Sequence, residues 1–177
     1  ALQALRLPAA GAGLNAREAA APAVLSHAGG PRVLVFAMAS RDSGVPQSWA
    51  ADHEKPGINL VKSLDHEAVS SINERVGAVK RTGDIAIASI HWGGNWGYDI
   101  PPAHEMLARA LIEEAGIDLV HGHSSHHAKG WEIHMGKLIL YGCGDFLNDY
   151  EGISGREEYR SDLSAMYLAD LDETGDG

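Results

Sequence analysis

The stretch that decides the fold is "DIAIASIHWGGNWGYDIPPAHEMLARALIEEAGIDLVHG", residues 84–122. It begins with an apolar run of buried-strand length over residues 84–91 and ends with a second run over residues 117–122. Between them, residues 101–116 have a proline suited to a first helical turn, leucines four apart on one face and a glycine suited to a helix end. The spacing therefore predicts a strand–helix–strand unit whose two strands lie side by side in one sheet.

The segments on either side of this unit also read as strands and helices. They are predicted as a strand over residues 31–40, a loop over 41–59, a helix over 65–80 with Asp65 as its N-cap, a hairpin over 131–142 turned near Met135–Gly136, and a final strand over 163–172. Because strands first alternate with helices and then follow one another, the pattern predicts a layered α/β core that finishes with antiparallel strands.

Composition narrows the possible functions before any motif is considered. The chain has 177 residues, 45% of them hydrophobic, which fits one globular domain with a real core. Its net charge of −10 argues against nucleic acid or an anionic membrane as the main partner, and the acidic tail over residues 151–177 supplies −6 of it. Cys143 is the single cysteine, so neither an intrachain disulfide nor a cysteine-based zinc site can form. No apolar run has the length of a transmembrane helix, and the first residues lack the pattern of a signal peptide.

Histidines follow two of the predicted strands. His91 comes at the end of the run over residues 84–91, and His123 comes directly after residues 117–122. Because ligand sites of α/β sheets lie beyond the carboxyl ends of the strands, we expect the two imidazoles to meet in one site. His126 lies three residues after His123, so its ring can turn toward the same centre. Neutral imidazole is a common ligand of zinc and iron, and the pattern therefore predicts a metal site.

Several neighbouring residues leave more than one interpretation open. Three histidines would suffice for one zinc ion, whereas a hydrolytic site with two metals also needs carboxylates, for which Asp145 after another apolar run is a candidate. Trp92 and the aromatic residues that follow it either line a pocket or pack in the core. His121 and His127 are equally open, and His104, like the other histidines outside these motifs, is expected to have no special role.

Four segments form a set with a fixed order: GAGLNAREAAAP (11–22), IASIHWGGNWGY (87–98), LIEEAGIDLVHGHSSHH (111–127) and GKLILYGCGDF (136–146). In this order and spacing they resemble blocks of the CapA family, the poly-γ-glutamate capsule synthesis proteins of the calcineurin-like metallophosphoesterase superfamily. The resemblance covers nearly the whole chain. It implies an α/β fold, the layered α-β-β-α metallophosphoesterase-like sandwich, and a hydrolase that uses metal-activated water.

The resemblance also implies roles for individual residues. His91, His123 and His126 match the metal ligands, and the implied cofactors are divalent ions, two in a complete domain, with zinc, manganese and iron as candidates. Asp145 stands where the family has Asn and is expected to orient a ligand during catalysis. Apart from the resemblance, the place of His127 in the histidine loop makes it a candidate catalytic residue, either on the substrate side or behind the metal ligands.

The implied substrate pocket includes residues on both strand-end loops: Trp92, Gly93, Asn95 and Gly122. Gly122 matches the glycine that precedes the last two ligands. Asn95 stands where the family often has Glu, and this departure leaves the substrate class more open than the metal site.

The family's G-D, N-L-E and N-N-H blocks do not precede the G-A-G segment here, so residues 1–177 are expected to be the C-terminal part of one domain with its N-terminal part as partner. The implied substrate is a phosphoester or a γ-glutamyl polymer of capsule metabolism, and the implied location is the bacterial cell envelope. Two alternatives stay open: a non-enzymatic subunit of a polymer synthesis or export complex, and a mononuclear zinc amidohydrolase.

Overall fold

The computed structural model describes residues 7–26, 28–147, 155–160, 163 and 165–171. The α-helices are Ala16–Ala19 (α1), His66–Gly77 (α2) and Pro102–Glu113 (α3). The strands, in chain order, are Ala12–Gly13 (β1), Ala23–Leu25 (β2), Val33–Ser40 (β3), Gly57–Ile58 (β4), Leu60–Val61 (β5), Ile85–His91 (β6), Leu119–His123 (β7), Trp131–His134 (β8) and Lys137–Leu140 (β9). The strands predicted around residues 31–40, 84–91 and 117–122 and both long helices are confirmed, with slightly different ends.

Within the described residues, seven strands form one sheet in the order β2-β3-β6-β7-β9-β8, and β5 pairs with the end of β3. The central strands β3, β6, β7 and β9 are parallel, whereas β2 and β8 pair antiparallel at the two edges. In chain order, helix α2 lies between β5 and β6, and helix α3 lies between β6 and β7. The predicted strand–helix–strand unit, β6–α3–β7, is therefore confirmed. The predicted hairpin is β8–β9, and its turn residues Met135 and Gly136 have φ of 51° and 78°, as a two-residue hairpin turn requires.

Helices α2 and α3 pack on one face of the sheet and enclose the core. Asp65 caps α2 by accepting the backbone N–H groups of Glu67 and Ala68, as predicted. No helix in the described part of the chain combines the length and the hydropathy that a membrane span needs. The buried apolar side chains between this face and the helices include Leu34, Phe36, Ile90, Val120 and Ile139 from the strands and Val69, Ile72, Leu107 and Leu111 from the helices.

The opposite face of the sheet is covered less completely. Its middle row consists of Val35, Ile87, Leu119 and Leu138, which the strand register places side by side. Residues 165–169 lie against this face and form an apolar groove of about 380 Å³ with it. The prediction of a final strand over 163–172 is wrong for its described residues, 163 and 165–171, because none of them lies in a strand.

At the end of the sheet opposite to His91 and His123, the side chain of Asp118 forms hydrogen bonds that link neighbouring strands. Asp118, just before β7, accepts hydrogen bonds from Lys80 Nζ at 2.6 Å and from Lys137 Nζ at 2.8 Å. It also accepts the backbone N–H of Ala86 at 2.8 Å, in the neighbouring strand. Burial alone would raise the pKa of Asp118, but these hydrogen bonds outweigh it and lower the pKa. The carboxylate therefore holds β6, β7 and β9 in register.

Candidate metal centre

His91 and His123 are register partners at the carboxyl ends of β6 and β7. Their Nδ1 atoms lie 3.3 Å apart, and their ring centroids lie 5.2 Å apart. The expectation that these two imidazoles meet is confirmed, while their role as ligands stays a prediction. His121 lies two residues earlier on the same side of β7, where its Nδ1 is 3.1 Å from the hydroxyl of Ser89.

Burial keeps these imidazoles neutral. Burial, together with smaller contributions from the neighbouring His121 and His91, lowers the pKa of His123 to about 4. Burial also lowers the pKa of His91, against an opposing effect of the Asp42 carboxylate. A neutral imidazole offers a lone pair to a metal, which a protonated ring does not. At neutral pH, both rings are therefore in the form that binds metal.

The spacing of the pair fits two ligands of one metal ion. Two nitrogens bound to a tetrahedral zinc at about 2.0–2.1 Å would lie about 3.3–3.4 Å apart, and the observed Nδ1–Nδ1 distance is 3.3 Å. Over the described ranges, no group of three or more His, Cys, Asp or Glu side chains converges to hold a metal ion. The described residues thus supply a fitting pair of donors and do not by themselves complete a coordination sphere.

His126 is placed on the loop after β7 and contacts Asp145. Its Nδ1 donates to Asp145 Oδ2 at 2.7 Å, its backbone N–H donates to the Asn95 carbonyl at 3.0 Å, and its ring stacks on Trp96 at 5.5 Å. The structure does not group His126 with His91 and His123 into one donor set. A carboxylate that accepts from one ring nitrogen fixes the tautomer and the ring orientation of a metal-binding histidine. Asp145 has the contact that this predicted role needs, and the role stays a prediction.

His127 is enclosed by aromatic rings. It is 1% exposed, and its ring centroid lies 4.8 Å from that of Tyr98, 4.9 Å from Tyr159 and 6.1 Å from Trp96. Its Nδ1 donates to the Ala128 carbonyl at 3.1 Å, whereas its Nε2 has no hydrogen-bond partner among the described residues. Three rings therefore cover His127 in this arrangement, and its expected role in the site stays a prediction.

Two residues predicted to line a substrate pocket, Trp92 and Gly122, are buried, and their role in a pocket stays a prediction. Trp92 is 2% exposed, and its indole Nε1 donates to the Tyr141 carbonyl at 3.0 Å. A Cβ on Gly122 would lie 2.5 Å from that Nε1, so this glycine leaves room for the indole. Gly93, also predicted for the pocket, is buried in the turn after β6, whereas Asn95 is exposed.

The sequence interpretation missed a pair of polar side chains, a buried histidine and a partly exposed aspartate, beneath the turn after β6. His104, expected to have no special role, is 2% exposed, and its Nε2 lies 2.6 Å from Asp42 Oδ2. Burial alone would raise the pKa of Asp42, but hydrogen bonds from Ser40 and His104 outweigh it and lower the pKa. Asp42 follows the end of β3, much as His91 ends β6, so its strand-end position was the available signal.

The fold and the strand-end histidines together define a class of bacterial protein. The chain belongs to the family of the bacterial capsule synthesis protein PGA_cap, which matches residues 1–150. Its mixed α/β architecture, with helices layered on a sheet, is consistent with the metallophosphoesterase-like fold expected for this family.

Curated relatives give the family match more detail. A "Probable polyglutamine synthesis accessory protein" of Mycobacterium tuberculosis is 48% identical over 164 residues, which are 92% of this chain and 42% of that protein. The "Capsule biosynthesis protein CapA" of Bacillus anthracis is 28% identical over 99 residues, 56% of this chain and 23% of its own length. The "PGA biosynthesis protein CapA" of Bacillus subtilis is 32% identical over 74 residues, 42% of this chain and 19% of its own length. This chain therefore spans less than half of the length of these relatives.

Proposed function

We propose that this chain contributes to a metal-dependent hydrolase that acts in the metabolism of a capsule-type polymer. The observation that carries the proposal is the pair of neutral imidazoles, His91 and His123, whose Nδ1 atoms are 3.3 Å apart at the ends of two parallel strands. The names of the relatives, which refer to capsule, PGA and polyglutamine synthesis, support the assignment to polymer metabolism.

The chemistry follows from the donor set. A bound divalent metal would lower the pKa of a coordinated water and polarise the scissile group. His91 and His123 would hold the ion, with zinc, manganese or iron as candidates and two ions in a complete domain. His126, oriented by Asp145, would add a donor once its ring is brought to the same centre.

Further ligands would come from outside these residues. Ligands from elsewhere would explain why the strand ends supply only a pair of donors. They would also fit the fact that this chain matches 42% of the length of the mycobacterial relative. We also infer that the less covered face of the sheet, with Val35, Ile87 and Leu138, packs against the rest of a larger domain.

The proposed substrate is a γ-glutamyl polymer or a phosphoester, and both are anionic. An anionic substrate needs local positive charge, because the chain has a net charge of −10. Metal ions would supply most of it. The guanidinium of Arg156 lies 5.8 Å from the centroid of the Trp96 ring, which stacks on His126, and so adds a cation beside the proposed site.

A second candidate is a non-enzymatic subunit of a polymer synthesis or export complex. It is favoured by one observation, namely that no set of three or more donor side chains converges within the described residues. The word "accessory" in the name of the mycobacterial relative points the same way.

Hydrolysis assays separate the two candidates. The full-length natural polypeptide, supplied with Zn²⁺ or Mn²⁺, is assayed on a chromogenic phosphodiester and on poly-γ-glutamate. We expect metal-dependent cleavage of one of them, lost to background in His123→Ala and kept in His53→Ala, whose side chain is exposed. Cleavage that is equal in both variants, or no cleavage of either substrate with metal bound, would contradict the hydrolase.

A further inference from the structure

A polar pair with one buried member lies directly beneath the turn that carries His91. Asp42 lies just beyond the end of β3, and His104 lies in the first turn of α3. The His104 Nε2 and Asp42 Oδ2 atoms are 2.6 Å apart, and the imidazole is 2% exposed whereas the carboxylate is 43% exposed. The pair therefore links the start of a helix to a strand end on the side of the sheet that the helices cover.

Both members of the pair also contact the turn His91–Gly93. The His104 ring stacks on the Trp92 indole with a centroid distance of 4.5 Å and an angle of 4°. Asp42 also accepts the backbone N–H of Gly93. Gly93 has φ of +68°, and a Cβ there would lie 2.9 Å from His104 Cε1, so the turn is fitted closely to the imidazole. The position of the turn thus depends on both side chains.

The contacts continue from this turn to both strand ends of the proposed metal site. The Ser40 hydroxyl bonds with the Asp42 carboxylate and lies 3.3 Å from the His91 carbonyl. The backbone N–H of Trp92 donates to the His123 carbonyl at 3.0 Å. The Asp42–His104 pair is therefore connected to the backbone of both residues whose imidazoles face each other.

The polarity of the pair is not needed to fill the core. An apolar ring at position 104 could stack on Trp92 equally well, and burying a polar imidazole and holding a carboxylate in place costs free energy unless both are paired. Their hydrogen bond is directional. It fixes the orientation of the imidazole ring and the position of Asp42 beneath Gly93. Such a directional contact suits a structure that must hold other groups at a set distance.

We propose that Asp42 and His104 are positioning residues that fix the His91–Gly93 turn, so that His91 and His123 keep the separation needed to bind a metal ion. This inference rests on the proposed metal site and deepens it. Residues that orient metal ligands typically change metal affinity by about 10–100-fold when they are replaced. Neither residue touches the metal or the substrate in this proposal.

The test is a titration of the full-length natural polypeptide with Zn²⁺ and with Mn²⁺. His104→Phe keeps a ring on Trp92 and removes the hydrogen bond, and Asp42→Ala removes its acceptor. The matched control is His134→Phe, which removes a similar contact, His134 Nε2 to Glu113 Oε1 at 2.6 Å, on edge strand β8. We expect a Kd about 10–100-fold higher in the first two variants and an unchanged Kd in the control, with cooperative thermal unfolding in all three.

Asp42→Asn distinguishes positioning from a direct effect of charge. The amide oxygen of Asp42→Asn still accepts a hydrogen bond from His104, so we expect its metal Kd to stay within a few-fold of the wild-type value. Removing an orienting partner altogether instead weakens metal affinity by about 10–100-fold. Equal losses in Asp42→Asn and Asp42→Ala would overturn the positioning role in favour of electrostatics.

An unchanged Kd in His104→Phe and Asp42→Ala would overturn the inference as well, and Asp42→Ala alone decides if His104→Phe does not fold. A wild-type protein that binds neither metal would instead refute the proposed metal site itself and this inference with it. Failure of the wild type and failure of the variants are therefore told apart by the same titration.

Discussion

The lack of a side chain at Gly122 lets the Trp92 indole and the backbone of β9 lie close to strand β7. This glycine lies in β7 between His121 and His123, and the Trp92 indole and the Leu140 carbonyl occupy the space where a Cβ would stand. Gly122 therefore has a packing role in the sheet, and the pocket role that its glycine–histidine motif predicted stays a prediction. A glycine next to a ligand can thus be needed for the strand beneath the site.

Gly122→Ala is expected to destabilise the protein by about 1–3 kcal/mol, the usual cost of overpacking a core. A Cβ would lie 2.5 Å from Trp92 Nε1 and 2.6 Å from the Leu140 carbonyl oxygen, and neither can move without disturbing the sheet. Gly77→Ala is the control, because nothing lies within 4 Å of its Cβ position in α2. Urea denaturation compares the two variants, and equal stability would contradict the packing role.

The buried histidines make the stability of the metal-free protein depend on pH. His123 has a pKa of about 4 in the folded chain against an ordinary value of 6.5. Between these values the unfolded chain binds a proton that the folded chain does not, so stability falls as the pH falls from about 6.5 to about 4. Above pH 6.5 this residue has no such effect.

The expected loss from His123 between pH 7 and pH 4 is on the order of 1–2 kcal/mol once partial solvent contact is considered. It is measured as the change in the free energy of unfolding by urea in the presence of a chelator. His123→Asn should lose this part of the pH dependence, whereas His53→Asn, at an exposed position, should keep it. The same slope in both variants would show that His123 is not buried in its neutral form.

At the scale of elements, the Asp118 carboxylate joins three strands through two lysines and a backbone N–H. Its side chain is 4% exposed, so the amide of Asp118→Asn would leave the charges of Lys80 and Lys137 without their counter-ion. Breaking a buried ion pair in this way costs about 3–5 kcal/mol. We expect the free energy of unfolding of Asp118→Asn to fall by an amount near the lower end of this range, since both lysines retain some contact with water.

Glu113→Gln is the matched control for that variant, because the Glu113 carboxylate pairs with His134 and is 44% exposed. An exposed pair contributes at most about 1 kcal/mol. Both variants are compared by chemical denaturation at neutral pH. A loss in Asp118→Asn no greater than in Glu113→Gln would contradict the role of Asp118 as the tie between strands.

The sequence predicted those elements whose signal is local. Apolar runs and an N-cap place β6, α3, β7 and α2, and the order of strand, helix and strand is enough to make His91 and His123 neighbours. The Asp42–His104 pair could not be predicted in this way, because its members are 62 residues apart and meet only when β3 and α3 pack together. A final strand over 163–172 was predicted from a local apolar pattern, but the described residues of this range, 163 and 165–171, form no strand.

At the scale of the whole molecule, helices cover one face of the sheet, whereas an apolar groove lined in part by residues 165–169 runs along the other face. Apolar residues on edge strand β8 extend this second face, and Trp131 and Ile133 are 61% and 53% exposed. Exposed apolar surface of this extent is typical of a face that receives further structure. It agrees with a chain that spans 42% of the length of its mycobacterial relative.

The central claim is that His91 and His123 bind a metal ion, and metal analysis tests it most directly. The full-length natural polypeptide is stripped with chelator, reconstituted with Zn²⁺ or Mn²⁺, freed of excess metal and analysed by mass spectrometry for bound metal per chain. We predict at least one bound ion in the wild type and in His53→Ala, and its loss in His91→Ala and His123→Ala. A wild type without bound metal, or His91→Ala and His123→Ala proteins that retain as much as the wild type, would contradict the claim.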